Sequence, residues 1–592
     1  MTTTGPPTTI SAGTYGRFVA TDLEFEAFAQ HVPLQSEAGR RALQEALLHP
    51  AVDVAGVRKR QRPLLALRRA LRGDQGPPVA EALGRLVEAA GQAEGVVAQC
   101  CVATPPEGGV LPPTPPTTAK GGGVGGTLVP PEELAVTTVL WRRDTLLGRA
   151  LNPRGGLLEG LLAWRTLLVP ALALLGPLIA AVALYLSLRA TVGAAEAGAR
   201  FGALLMTTVL QHAAMPPRLQ AAPGALGTAL RGTYLAASVA LFCASLYNTV
   251  SSAAHVRGVA HSLRARGEAL ESLRAAAGAA VTALRGTGQA SLCGLAAEGE
   301  AALGRGEGLG TGGPLGAYGA AYNDSASASA ALLRFAGRVD LLRACSSLRG
   351  VCLPAPLKRS NHPSLRLVDA YHPALRGLGR PVLNSLSLGG DVLPLPLPST
   401  AHASRGGKGG SMPPRHALLT GPNRGGKSTL CRAVGMNVVA AQALGIAWAR
   451  AMEWTPLQRL ETALHPADAL GRVSLFEAEI DFAKGALATP PGHFSLLIMD
   501  EIFHSTNAHD GAAATRVFLR QLHAQPNALS LVSTHYAEVA EWASARSAAQ
   551  PLHMVARPLR GEARVRYTYR CAPGVSRVSS VQDILRERGL LT

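Results

Sequence analysis

The chain has 592 residues, 47% of them hydrophobic and only 4% aromatic, with a formal charge of +18. That length calls for two to four folded units, and the ordinary hydrophobic fraction excludes disorder of the whole chain. The positive charge suits nucleic acid or an acidic membrane surface, but with only six Lys beside abundant Arg, Ala, Gly and Pro it is equally what a compositional bias would leave.

Residues 1–20 form a Thr, Pro and Gly-rich leader without the basic start and apolar run of a secretory signal. From 21 to 102 the chain reads as helical, with apolar positions at helical spacing between Asp22 and Leu71. The Pro and Gly-rich stretch 103–131 reads as a linker. An insert over 132–256 contains Thr166–Leu188, 23 residues without a charge, and a second uncharged stretch, Thr233–Ala254. A helix of the first length spans about 34 Å against a hydrocarbon core of about 30 Å. The two stretches therefore read as a transmembrane hairpin, or else as long buried helices of a soluble bundle. Arg residues flank both, and the positive-inside rule gives a modest preference for termini, and hence the carboxy-terminal domain, on the cytoplasmic side. The soluble alternative leaves a nuclear or organellar location open.

Residues 257–350 read as further long helices, Arg257–Arg285 and Ala328–Arg349, with a Gly-rich break over Gly304–Gly319. Other breaks are expected at Ser399–Pro414 and Thr489–Gly492. The eight Cys have neither C-x-x-C pairing nor zinc-ligand spacing, so neither a disulfide framework nor a structural zinc is expected.

Between 351 and 560 the pattern changes to α/β. The strand-like His416–Thr420 leads into Gly421-Pro422-Asn423-Arg424-Gly425-Gly426-Lys427-Ser428-Thr429 and then an apolar helix. This is the order of a P-loop, in which glycines let backbone N–H groups converge on phosphates, Lys427 neutralises them and the Ser428 hydroxyl ligates Mg²⁺. A second apolar strand from Ser495 ends in Asp500 and Glu501, placed to hold Mg²⁺ and to orient or deprotonate an attacking water, respectively. A third, Leu529–Ser533, runs into Thr534 and His535, positioned for contact with a γ-phosphate. The expected fold is an α/β P-loop NTPase domain with a mixed, largely parallel sheet, joined to an all-α core carrying two candidate transmembrane helices. ATP and Mg²⁺ are the expected ligands.

These motifs resemble the MutS family. Residues 421–429 match its Gly-Pro-Asn-x-Gly-Gly-Lys-Ser-Thr, and Asp500-Glu501-Ile, Ser505-Thr506 and Asp510-Gly511 follow its acidic motif, with Thr534-His535-Tyr536 in its order. Ser474-Leu-Phe476 and Glu479 resemble its Ser-Thr-Phe and Glu signature. Leu365–Leu375 with Asn384, and Gln35–Pro50 with Arg60-Gln61, resemble the segments before the Walker A loop and at the start of the helical core. Residues 561–592 look like the beginning of its dimerisation element. The resemblance implies ATP hydrolysis by a homo- or heterodimer in which Ser474 reaches the γ-phosphate held by the opposite subunit. DNA is a candidate partner, gripped non-specifically through Arg-rich surfaces. No Phe-x-Glu wedge occurs near the amino terminus, so mismatch reading is not expected. A soluble repair or recombination ATPase is the alternative reading. A transporter-type ATPase is less favoured, since Ser474-Leu-Phe stands where that class has Leu-Ser-Gly-Gly-Gln.

Overall fold

The computed structural model describes residues 15–16, 18–74, 76–102, 136–142, 145–192, 224–306, 312–323, 327–357, 362–390, 414–464, 475–488, 490, 492–546, 549–558 and 565–590. The chain divides into two units. The first comprises Met1–Val87, Ala283–Ala296 and Ala336–Thr592, the second Glu88–Thr282 and Ala297–Phe335.

The first unit opens with helices α1 (Val19–Asp22), α2 (Phe25–Ala29), α3 (Glu37–Leu48) and α4 (Val54–Ala70), followed by the start of α5 (Gly76–Val102). Ser36 caps α3 by accepting from the Gly39 amide, and Asp53 caps α4 by accepting from Gly56. The Ser36 hydroxyl also donates to Asp340 at 2.8 Å, and the amides of Gln35 and Ser36 donate to the same carboxylate oxygen at 3.0 and 2.9 Å. Three donors offset the cost of burying that charge. A Cβ at Gly39 would lie 2.2 Å from Asp340, so the junction needs glycine there.

Two sheets follow. A four-stranded sheet has the order β1-β5-β2-β3, from β1 (Ala355–Pro356), β2 (Ser364–Ala370), β3 (Asn384–Gly389) and β5 (Ala451–Trp454). The larger sheet has the order β10-β9-β4-β8-β7-β6, from β4 (His416–Thr420), β6 (Arg459–Ala463), β7 (Ser495–Met499), β8 (Ala528–Ser533), β9 (Gln550–Pro558) and β10 (Val565–Pro573). All its neighbours are parallel except the β9–β10 pair. Alternate residues of β4, β7 and β8 enter two separate cores: Leu419, Ile498 and Leu531 on one face, Leu418, Leu497 and Val532 on the other. Burial on both faces is why these strands read as unbroken apolar runs.

The first of those faces carries α13 (Lys427–Ala443), and its core includes Leu43, Leu47, Val57 and Leu64 of α3 and α4. The other carries α14 (Leu475–Leu487), α15 (Ala508–His523) and α16 (Ala537–Ala545). The far end of α13 is tied to the helical core by polar contacts. Arg60 donates to the Ala46, His49 and Ala443 carbonyls, capping the ends of α3 and α13 together. The Gln61 amide donates to Pro354 O at 2.7 Å and Gly445 O at 3.3 Å, and that of Gln442 to Ala51 O at 3.0 Å and Leu457 O at 2.9 Å.

The second unit contains α6 (Leu146–Leu151), α7 (Gly155–Ala163), a π turn over Trp164–Leu168 and α8 (Val169–Val192), with most of α9 (Gly224–Gly286), the end of α10 (Ala290–Arg305), α11 (Gly313–Asn323) and the start of α12 (Ser327–Ser347). Glycines set its closest contact: a Cβ at Gly155 would lie 1.6 Å from Gly312 O. Gly155–Gly176 and α9 are long and apolar enough to cross a membrane, by length and composition alone, and the apolar window of α9 is wholly unburied.

Several boundaries differ from the sequence reading. The expected break over Gly304–Gly319 holds where α10 ends at Arg305, but its second half enters α11, whose glycines allow close packing against Asn152 and Gly155. Thr166–Leu188 lies within one helical run from Gly155 to Val192, and Thr233–Ala254 within α9, which continues without interruption through Arg257–Arg285. The division at 560 falls between two paired strands, so residues 565–573 extend the large sheet instead of starting a separate element. The linker Thr104–Pro131, the leader up to residue 14, Ser474 and most of Ser399–Pro414 lie outside the described residues.

Candidate active site

The site lies at the carboxyl ends of β4, β7 and β8, where open parallel sheets place ligands. After Thr420 the chain turns through Gly421 at φ +147°, Arg424 at +64° and Gly426 at +95° into α13. A Cβ at Gly425 would lie 2.8 Å from Pro422 O, and one at Gly421 would lie 3.1 Å from Met554. Side chains cannot be added there without moving the backbone, so the glycines are needed for the curl of the loop. Lys427 is the first residue of α13 and is almost fully buried. Its ammonium group reaches back to Gly421 O at 3.1 Å and Pro422 O at 3.4 Å. Ser428 and Thr429 follow in the same turn, Ser428 partly buried and Thr429 exposed; Pro422 is buried and Asn423 exposed.

The two carboxylates leave the end of β7 together but face different partners. Asp500 accepts a short hydrogen bond from the Ser533 hydroxyl, which in turn accepts from the Glu501 amide at 3.0 Å. Glu501 is left-handed, at φ +56°, a conformation costing a non-glycine residue roughly 1–3 kcal/mol. Its Oε1 lies 2.6 Å from His535 Nε2 and 3.5 Å from Lys427 Nζ. The His535 hydrogen bond, then the charges of His535 and Lys427, hold this carboxyl below its usual range against the opposing effect of burial. It is an anion at neutral pH.

Beyond Asn423 and His535 opens a cavity of about 760 Å³, bounded also by Thr420, Tyr536 and the segment Ser576–Val581. The Thr420 hydroxyl accepts from the Ser576 amide at 2.8 Å and so joins the loop's root to that segment. The residues present fit a nucleoside triphosphate: a glycine-lined curl at a helix start with one buried ammonium is a polyanion cradle. Ser428 and Asp500 are the hard oxygen donors that suit Mg²⁺, which commonly keeps several waters and takes phosphate oxygens as well.

The structure therefore brings Gly421, Gly425, Gly426, Lys427, Ser428, Asp500, Glu501 and His535 to one sheet edge. It joins His535 to Glu501, a contact that sequence spacing did not indicate. Two further residues escaped the sequence reading. Ser533 holds both acidic residues, and its position as the last residue of an apolar strand was the available signal. Tyr569, half exposed and at φ +57° in a bulge of β10, comes 3.3 Å from where a Gly426 Cβ would be. Asn384 fixes that bulge, donating to Tyr569 O at 3.1 Å and accepting from the Cys571 amide at 2.8 Å.

A strand, a glycine-rich loop and a helix, faced by an acidic pair on the next strand but one, define a P-loop ATPase. Residues 417–585 match the family model for MutS domain V, so this part of the chain is a MutS-type ATPase domain. The chain is also 31% identical over 193 residues to the DNA mismatch repair protein Msh6 of Gallus gallus, covering 32% of this chain and 14% of that relative.

Proposed function

We propose that this chain is a membrane-held, MutS-like ATPase whose domain opens and closes a dimer with each nucleotide cycle. Lys427 and the loop amides bind the β- and γ-phosphates, Ser428 and Asp500 hold Mg²⁺, Glu501 orients the attacking water and His535 fixes the Glu501 carboxylate. When bound, Mg²⁺ neutralises charge developing on the phosphate oxygens. The observation that carries the reading is the single Glu501 oxygen lying between His535 and the buried Lys427.

Lys427→Ala removes the loop's fixed cation and should abolish hydrolysis and weaken ATP binding. Glu501→Gln should retain binding and lose hydrolysis, because the cradle is untouched. Normal turnover by either variant, measured as phosphate release beside equilibrium nucleotide binding, would refute its assigned role.

The composite site, with Ser474 supplied by the opposite subunit, rests on the family resemblance. Mixing Ser474→Ala with Lys427→Ala subunits should restore partial activity, since one centre of each heterodimer is then intact. Proven heterodimers that stay inactive would sink that arrangement.

The membrane reading is supported by exposed apolar side chains. Leu167, Leu172, Leu175, Ile179 and Leu186 of one helical run, and Val239, Leu241, Phe242 and Val250 of α9, are open to the surroundings. Arg257 donates to Thr166 O at 2.5 Å, and Glu159 pairs with Arg264. These contacts join the helical run to α9 beside the amino end of 166–188 and the carboxyl end of 233–254. Non-specific contact with DNA through Arg-rich surfaces is part of the proposal, resting on the net charge of +18.

A further inference from the structure

The loop that aims Glu501 is held from two sides. On the β8 side, Ser533 accepts from the Glu501 amide and the Tyr536 hydroxyl donates to Phe503 O at 3.1 Å. On the other side stands α14. The Phe503 ring meets Phe476 of α14 edge-on at 5.8 Å and Phe518 of α15 at 6.2 Å. The largely buried carboxylate of Glu479, on the second turn of α14, accepts from the Ser505 hydroxyl at 2.5 Å and lies 3.0 Å from His504 Nδ1. That same ring nitrogen is 2.9 Å from the main-chain carbonyl of Glu501.

Glu501 and Phe503 are both left-handed at φ +56°, a pair of conformations that persists only where the surroundings fix it. The Ser533 contact belongs to a sheet buried on both faces, and the Tyr536 contact to the start of α16. The α14 contacts belong to a helix whose first residue, Leu475, directly follows Ser474 in the chain.

We propose that Glu479 is a positioning residue for hydrolysis: through His504 and Ser505 it holds the 501–505 loop in the conformation that aims Glu501, so that turnover depends on α14 being docked. The inference rests on the reading of Glu501 as the water-orienting group. Glu479 acts through Ser505 and His504, so its effect belongs in the chemical step. The phosphate cradle is built from a different segment and does not need it. Removing the carboxylate frees Ser505 and His504 and lets the strained turn relax, which moves the Glu501 carboxylate and leaves Lys427 in place. A displacement of about 1 Å at a reacting group costs on the order of 100-fold in rate.

The test uses the full chain. Glu479→Ala should lower kcat roughly 10- to 100-fold with the KM for ATP nearly unchanged. Glu479→Gln, which keeps an acceptor for one of the two donors, should recover part of that loss. Ser505→Ala removes a single hydroxyl and should show a smaller kcat loss of the same kind, which keeps the proposal testable if Glu479→Ala does not fold. In single-turnover measurements on a Glu501→Gln background, Glu479→Ala should cause no further decrease. Wild-type kcat in Glu479→Ala and Ser505→Ala, or an equal fold-loss in the Glu501→Gln background, overturns the proposal while leaving the Glu501 assignment standing. Normal turnover by Glu501→Gln alone overturns that assignment and this proposal with it.

Discussion

Acid should weaken this protein through a histidine that plays no part in the nucleotide site. His416 opens β4 at the end of the sheet opposite the P-loop. Its Nδ1 lies 2.9 Å from the Ser530 hydroxyl, and its ring is 4.6 Å from that of His523. The Nε2 atoms of both rings are buried without a hydrogen-bond partner. Burial, then the neighbouring His523 and Arg415, push the His416 pKa down to about 3. The folded protein therefore refuses a proton that the unfolded chain takes up below about pH 6.5, so this stability is full above that pH and is lost as the pH falls. At pH 5 the unfolded imidazole lies about 1.5 pH units below its pKa, and at 1.36 kcal/mol per unit the loss is about 2 kcal/mol. The half-buried His523, held at about 4 by burial and Arg415, acts in the same direction. Urea unfolding of the full chain at pH 7 and pH 5 would measure this, followed by fluorescence of Trp448 and Trp454, which are buried in the same unit. His416→Asn should lose about 2 kcal/mol less than wild type between the two pH values. Equal losses in the two proteins would refute the reasoning.

Other substitutions separate the parts of the site. Gly426→Ala forces a Cβ into φ +95° beside Tyr569 and should cost roughly 1–2 kcal/mol in the loop, lowering ATP affinity about 5- to 30-fold; unchanged binding by calorimetry would contradict the steric argument. Asn384→Ala leaves Tyr569 O and the Cys571 amide without their partner and should destabilise the β10 bulge by about 0.5–1.5 kcal/mol, seen as faster hydrogen exchange at Cys571. Protection equal to wild type would show that the bulge holds itself. Carbonate extraction should leave the full chain in the membrane pellet; release into the wash would refute the hairpin and favour buried helices of a soluble bundle.

The ATPase motifs were legible because their chemistry leaves little choice of residue or spacing. A loop that must curl around phosphates needs glycines at fixed offsets from a lysine, and strands buried on both faces betray themselves as apolar runs ending at Thr420, Met499 and Ser533. The links between motifs were not legible. His535 and Glu501 are 34 positions apart in the chain, and only the register of β7 against β8 brings them to 2.6 Å. The second half of Gly304–Gly319 misled because glycine serves close helix packing as readily as it ends a helix, and the sequence alone cannot tell which. The strand Val565–Pro573 was hidden because its exposed edge position and bulge erase the apolar alternation that marks a half-buried strand.

The clasp at the far end of α13 makes that helix a push-rod. Its first residue is the buried Lys427 of the loop, and its last turn is held by Arg60 and, through its own Gln442, by Ala51 O, about 25 Å away at 1.5 Å per residue. A rod packed on all sides transmits displacement with little loss, so a shift of its first turn on nucleotide uptake should reach the ends of α3 and α4 at nearly full amplitude. Hydrogen exchange at His49 and Ala51, compared with and without ATP, would read that movement; protection indifferent to nucleotide would mean that the clasp holds the helix still.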